Sequence, residues 1–157
     1  MPTIFDRVKL TPDRLRTAAD RRFEDAQYLL GSGKNKHANG VYYLGGFVLA
    51  CRLKAAALGR YPWFQNLSPS EQASLSRDDQ RLYDLCYRRH DLEGLLAYLS
   101  NLKQHLWEVD PSGRLYRSLQ AGCSQWTIFA RYSPQQAKMA QARVFLDQIR
   151  ELKKWLK

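Results

Sequence analysis

The chain has 157 residues, a net charge of +10 and three cysteines. This length fits one domain with a sizeable core, and widely spaced cysteines without a Cys-x-x-Cys pair favour neither zinc nor disulfides. We therefore expect a cytoplasmic protein with no metal and no cofactor. The basic excess is typical of proteins that bind polyanions, but basic residues also keep a helical surface soluble.

The first predicted helix begins at Thr11-Pro12-Asp13, with Thr11 as the N-cap and Pro12 in the first turn. Gly31-Ser32-Gly33 is a typical helix end. Between them, apolar residues recur at helical spacing: Leu15, Ala19, Phe23, Ala26 and Leu30. Residues 1–10 lack such a pattern and are expected to form an irregular N-terminal arm.

The stretch 39–58 is apolar on almost every side and contains no proline. As a helix, these residues would extend roughly 30 Å. A helix that is apolar all round must be covered all round. We therefore predict that it is the central helix of a bundle, with Leu44 buried. Arg52 and Lys54 make a membrane span unfavourable, so no membrane contact is expected.

Four further helices are predicted after Gly59 and Pro62, with starts at Ser68-Pro69, Asp91, Asp110-Pro111 and Ser133-Pro134. Each start is followed by apolar residues at helical spacing, and no strand-like alternation of useful length occurs. The sequence thus predicts an all-α, up-and-down antiparallel bundle of five to six helices, in a single domain covering residues 1–157.

His90 is the most suggestive candidate for chemistry. Arg88 and Arg89 precede it, and Asp91 follows as a predicted helix cap. Two guanidinium groups at a helix N-terminus would attract phosphate, and a histidine there could act as general base on a ribose hydroxyl. The alternative is structural: His90 bonds a neighbouring helix, Asp91 caps its own helix, and the arginines are solvated.

The order of several short motifs resembles a known family, the HEPN domain. This helical domain partners bacterial minimal nucleotidyltransferases and is common in toxin–antitoxin and defence systems. The resemblance covers about residues 13 to 157. It is carried by Arg22-x-x-Asp25-Ala26, by Tyr42-Tyr43-Leu44-Gly45-Gly46-Phe47 with Leu53-Lys54-Ala55, by His90-Asp91-Leu92, and by Trp126 five residues before Arg131-Tyr132.

The resemblance implies a helical bundle that often dimerises, and many HEPN members are metal-independent endoribonucleases. Those enzymes carry an arginine with four to six residues between it and the histidine. Before His90 these positions hold Leu85, Asp84 and Tyr83, so the pattern is absent. An acidic residue usual near the end of the central helix is replaced by Ala50. What remains resembles the non-nuclease branch, with these family signatures: His90, Asp91, Lys54, Arg131 and Tyr132.

We therefore expect a non-catalytic binding module that partners a nucleotidyltransferase or another toxin–antitoxin or defence component, with weak RNA binding. The candidate nucleic-acid or phosphate contacts are Arg88, Arg89, His90, Lys54 and Arg131. One alternative is a divergent metal-independent ribonuclease that uses His90 with Arg88 or Arg89, or with Arg131 from a second subunit. Another is an interaction protein whose charge has no nucleic-acid role.

A homodimer is also expected. Aromatic residues of the second and fifth predicted helices offer more apolar surface than one small bundle covers, and an obligate interface is largely apolar. The residues concerned are Tyr42, Tyr43, Trp126 and Phe129.

Overall fold

The computed structural model describes residues 9–126 and 132–157. Every regular element in these ranges is helical, which confirms the all-α prediction. The α-helices are α1 (Pro12–Gly31), α2 (Ala38–Arg60), α3 (Pro69–Ala73), α4 (Arg77–Tyr87), α5 (Leu92–Ala97), α6 (Ser100–Val109), α7 (Arg114–Gln125) and α8 (Met139–Lys153). Short 3₁₀ turns, Asn35–His37 and Pro62–Asn66, flank α2. Most of the predicted N-terminal arm lies outside the described residues.

Helix α1 begins and ends where the sequence predicts. The Thr11 hydroxyl accepts a hydrogen bond from the backbone N–H of Arg14 at 3.3 Å, as an N-cap does. Gly33, just past the helix, has a φ of 66°, a left-handed conformation that glycine adopts without strain. All five predicted core residues of this helix are buried.

The described helices outnumber the predicted five to six because two predicted helices are broken. The first, opened by the capping box of Ser68 and Glu71, ends at Ala73. The Ser76 hydroxyl then accepts from the backbone N–H of Asp79 at 3.1 Å and starts α4. The second breaks between α5 and α6, yet its apolar stripe from Leu92 to Leu106 stays buried across the break.

Two predicted helix starts lie too early in the sequence. The Asp110 carboxylate accepts from the backbone N–H of Leu115 at 2.9 Å, so α7 begins only at Arg114. Residues 133–138 precede α8 as non-helical chain. The side-chain amide of Asn39 holds this segment, donating to the Gln135 carbonyl at 2.7 Å and accepting from the Ala137 N–H at 2.9 Å.

Helix α2 is the predicted central helix, and it contacts α1, α4, α5, α7 and α8. Paired positions give the helix directions. Asp20 of α1 meets Arg52, and Leu29 lies against Gly40. Gly122 of α7 lies against Leu49, with Trp126 against Gly46. These pairs make α1 and α7 antiparallel to α2. Contacts at both ends of α8 show that it is parallel to α2. The Met139 N–H donates to the Asn35 side chain just before α2, and Arg52 near the end of α2 donates to the Leu156 carbonyl just after α8. Helix α8 is therefore antiparallel to α1 and α7, as in an up-and-down bundle.

Close packing around α2 depends on glycine. A Cβ atom on Gly46 would lie 1.8 Å from the Trp126 ring, and one on Gly45 would lie 2.8 Å from the Phe145 ring. Real Cβ atoms do not approach other atoms so closely, so any larger residue would push the ring away. The two glycines thus let Trp126 and α8 reach the axis of the central helix.

The charged Arg52 of α2 is accommodated by an ion-pair cluster. The Arg52 guanidinium and the Lys153 ammonium both donate to the same oxygen of Asp20, at 2.7 and 2.8 Å. The hydrogen bond from Lys153, followed by the bond and charge of Arg52, lowers the pKa of Asp20 although partial burial opposes this. The cluster joins α1, α2 and the end of α8.

The helical segment Asn35–Arg60 is long and apolar enough to cross a membrane, judged by length and composition alone. However, 61% of its apolar 18-residue stretch is buried inside the bundle. The core helix of a soluble protein passes the same test. One such helix does not indicate a membrane protein.

Replacing Leu53 with alanine should lower the free energy of unfolding by about 2–5 kcal/mol, because it removes a fully buried side chain from α2. Leu44→Ala is the matched control. Contrary to the sequence expectation, Leu44 is only partly buried, so its loss should cost clearly less. Chemical denaturation would measure both, and equal losses would contradict this arrangement of α2.

Replacing Gly46 with alanine should also destabilise the protein, although alanine is the better helix former by about 1 kcal/mol. The new methyl group would displace Trp126. Gly59→Ala, in the same helix, is the control, since open space surrounds a Cβ atom there. The melting temperature of Gly46→Ala should be below that of the wild type, and that of Gly59→Ala should equal or exceed it. The reverse order would rule out the close Trp126 contact.

Candidate functional site

His90 lies in the short link between α4 and α5, and both ends of this link are fixed. The backbone N–H groups of Arg88 and Arg89 both donate to the Asp84 carbonyl, at 2.8 and 2.9 Å, and thereby end α4. The Asp91 carboxylate accepts from the backbone N–H of Gly94 at 2.8 Å and caps α5, as the sequence predicts. His90 is therefore held between two helix ends.

The His90 ring packs on aromatic side chains from two other parts of the chain. Its centroid is 5.8 Å from that of Phe47 on α2 and 6.4 Å from that of Trp126. The Trp126 indole N–H donates to the Tyr43 carbonyl at 3.2 Å, which fixes the orientation of its ring. We call His90, Phe47, Trp126 and Tyr43 the His90 cluster. One side of the exposed histidine is covered, and the rest faces solvent.

Lys54 lies two turns after Phe47 on the same face of α2, and only 8% of its surface is exposed. Burial lowers the pKa of this amine. Burial of the covered side of the ring, and then the charge of Lys54, lowers the pKa of His90. Both effects favour the neutral form of His90. The structure brings together two of the predicted site residues, one from α2 and one from the α4–α5 link.

The remaining predicted site residues do not converge on His90 in the same way. Arg88 donates to the Asp84 carboxylate at 3.1 Å and lies over the Tyr83 ring at 5.7 Å, so its guanidinium is held against α4. Arg89 is exposed. Tyr132 is 71% exposed. Arg131 and Phe129 lie outside the described residues.

The three cysteines are buried and free. Burial raises the pKa of all three thiols, to about 11 for Cys86 and to about 12 for Cys123. None of Cys51, Cys86 and Cys123 therefore supplies a thiolate at neutral pH. Within residues 9–126 and 132–157, no three His, Cys, Asp or Glu side chains group together as metal ligands. The chemistry available is an exposed imidazole that lies on an aromatic surface, beside a buried amine.

A cavity of about 550 Å³ adjoins Trp126 on its other side. Its wall combines aromatic rings with side-chain amides, including Tyr42, Phe145, Asn39, Gln125 and Gln141. Tyr42 and Phe145 stack with their centroids 4.8 Å apart. The Asn39 and Gln141 amides already bond backbone groups, so the rings and the other amides are what the cavity offers to the faces and edges of nucleobases.

Sequence reasoning missed Phe47 as a site residue. The spacing of Phe47 and Lys54, seven residues apart, places both on one helix face and could have linked them. The approach of both to His90 has no local signal, since it depends on how α4 and α5 pack against α2.

Comparison with known proteins leaves the family open. No family model matches the chain, and no curated protein or solved structure shows significant similarity to it.

Replacing Lys54 with methionine should raise the pKa of His90 towards its ordinary value, because a positive charge near the ring is removed. The rise should be partial, since the ring stays covered by Phe47 and Trp126. An NMR titration of the His90 ring protons would measure it. Lys36→Met removes an equal charge from the exposed turn before α2 and should leave the titration unchanged; a His90 pKa that does not respond to Lys54→Met would contradict the coupling.

Proposed function

We propose that this protein is a cytoplasmic, HEPN-like binding module that works without catalysis and holds single-stranded RNA weakly at the His90 cluster. The observation that carries the proposal is the juxtaposition of an exposed ring, His90, with Phe47 and Trp126 beneath it and cationic groups around it. Aromatic side chains stack on unpaired bases, and cations neutralise the phosphates between them.

The charges at this surface favour an anionic strand. Arg89 is exposed beside His90, and the charge of the buried Lys54 acts on the His90 ring. The chain as a whole has 25 basic and 15 acidic residues, which draws a polyanion to the surface before specific contacts form. The amide-lined cavity beyond Trp126 would accept a neighbouring base.

The resemblance to HEPN domains extends the proposal to a partner. A nucleotidyltransferase or another toxin–antitoxin or defence component would bind the module. A homodimer also remains part of the proposal. Of the aromatic residues expected at its interface, Tyr42 and Tyr43 pack on Phe145 and Phe47 but are only partly buried, and Trp126 is 5% exposed.

A divergent ribonuclease is the second candidate, and the neutral state of His90 favours it. A general base must be unprotonated at working pH, and the lowered pKa of His90 meets this requirement. Metal-free RNA cleavage also needs a cation placed at the charged transition state. Arg88 is engaged by Asp84, which argues for binding over cleavage.

RNA binding can be tested by fluorescence anisotropy with a labelled single-stranded 12-mer at several salt concentrations. With about four phosphates contacted, the log–log salt slope should be about −3 to −4. His90→Ala and Arg89→Glu should each weaken binding severalfold. Arg21→Glu, which makes the same charge change on the exposed surface of α1, should weaken it less.

Equal losses in Arg89→Glu and Arg21→Glu would show that only net charge matters, and absent binding at low salt would favour a pure interaction protein. The same samples test catalysis. The RNA should stay intact with wild type and variants alike. Cleavage by the wild type that disappears in His90→Ala would promote the ribonuclease candidate.

A further inference from the structure

A second surface lies on another side of the bundle, at the C-terminal end of α2. It is a cavity of about 410 Å³ formed by α1, α2, α6 and the residues that follow α8. Phe47 and Lys54 lie on one face of α2, whereas Ala55 and Gly59, which line this cavity, lie roughly 80–140° around the helix from them. The cavity is therefore separate from the His90 cluster.

The cavity collects positive charge from distant parts of the sequence. Arg16, Lys154 and Lys157 line it, with His105 between them, and no acidic side chain is among the described lining residues. Arg16 also pairs with Asp13 at 3.0 Å, but Asp13 is almost fully exposed and does not line the cavity. Lys154 and Lys157 have no ion pair with any described residue.

Helix α6 adds to this positive character. It begins at Ser100 with no side-chain cap, and its early residues Asn101 and Leu102 line the cavity. The Leu102 N–H already donates to the Leu99 carbonyl at 3.0 Å, so the Asn101 N–H is the one that faces an anion there. The C-terminal ends of α2 and α8 oppose this effect, and the basic side chains outweigh them because they carry full charges.

One wall of the cavity is an aromatic ring. Trp155 is half-buried, and its centroid lies 6.5 Å from that of His105. The part of the lining that α2 contributes, here called the floor, consists of the small residues Ala55, Ala56 and Gly59. A Cβ atom on Gly59 would meet nothing within 4 Å, so the floor leaves room beside the indole. A planar group can stack there while its charged end meets the cations.

We propose that this cavity binds a nucleoside phosphate, with the base against Trp155 and the phosphates held by Arg16, Lys154 and Lys157. The volume falls in the range of small-molecule sites, and the combination of one ring with several cations matches the two halves of a nucleotide. The ligand is either a free nucleotide or the phosphorylated end of a nucleic-acid chain. The site does not depend on the proposed function of the His90 cluster.

Calorimetry with ATP, adenosine and tripolyphosphate tests both halves of the site. ATP should bind more tightly than either fragment, since only ATP offers a base and phosphates together. Gly59→Leu should fill the floor and weaken ATP binding about tenfold or more, as expected when one good contact is lost. Gly31→Leu is the matched control, because its Cβ atom also points into open space, at the end of α1.

Charge reversal gives an independent test. The double variant Lys154→Glu and Lys157→Glu should weaken ATP binding about a hundredfold, at tenfold for each lost charged contact. The pair Lys34→Glu and Lys36→Glu, in the exposed link before α2, should have little effect. Thermal melting of each variant confirms that it is folded.

Two results would overturn the proposal. The first is no ATP binding at millimolar concentration. The second is that the Gly59 and lysine variants weaken ATP binding no more than their control variants do. In that case these cations only balance the carbonyl end of α8. If ATP binds as expected, competition by a 5′-phosphorylated tetranucleotide identifies a nucleic-acid end as an accepted ligand. Failure to compete identifies a free nucleotide.

Discussion

The fold depends on the narrowness of one helix. Helix α2 has neighbours on nearly every side. Where these neighbours come closest, α2 carries glycine and so presents only its backbone. Gly46 lies under the Trp126 ring and Gly45 under the Phe145 ring. The resulting close approach draws the end of α7 and the body of α8 onto the same helix. Packing density, and not intrinsic helix preference, therefore decides the residue at these positions.

A helix enclosed in this way offers few places for charge, and its two buried cations have different surroundings. Arg52 meets Asp20, which also accepts from Lys153, so its charge is compensated and it joins three helices. Lys54 is equally buried, but its electrostatic neighbours are the thiols of Cys86 and Cys51 and the ring of His90. A buried cation whose neighbours are neutral groups is costly to the fold. Such a residue is more typical of a functional site than of a purely structural core.

The two proposed binding surfaces share α2 as their floor and use its two faces differently. The face that carries Phe47 and Lys54 is paired with an aromatic and basic loop, which suits an extended strand of unstacked bases. The face that carries Ala55 and Gly59 is small and recessed, with cations at its rim, which suits a compact ligand. A rigid central helix would hold both surfaces in fixed relative positions.

The sequence by itself determined the helical class, the α1 core, the caps at Thr11, Ser68 and Asp91, and the identity of the central helix. These features follow from local periodicity and capping chemistry, which act within a few residues. Tertiary structure alone decided the late start of α8 behind Asn39 and the meeting of His90 with Phe47 and Lys54. It also gathered Arg16, His105 and Lys154 around one cavity. These features depend on residues far apart in the chain, whose proximity is set by packing around α2 and leaves no local pattern to read.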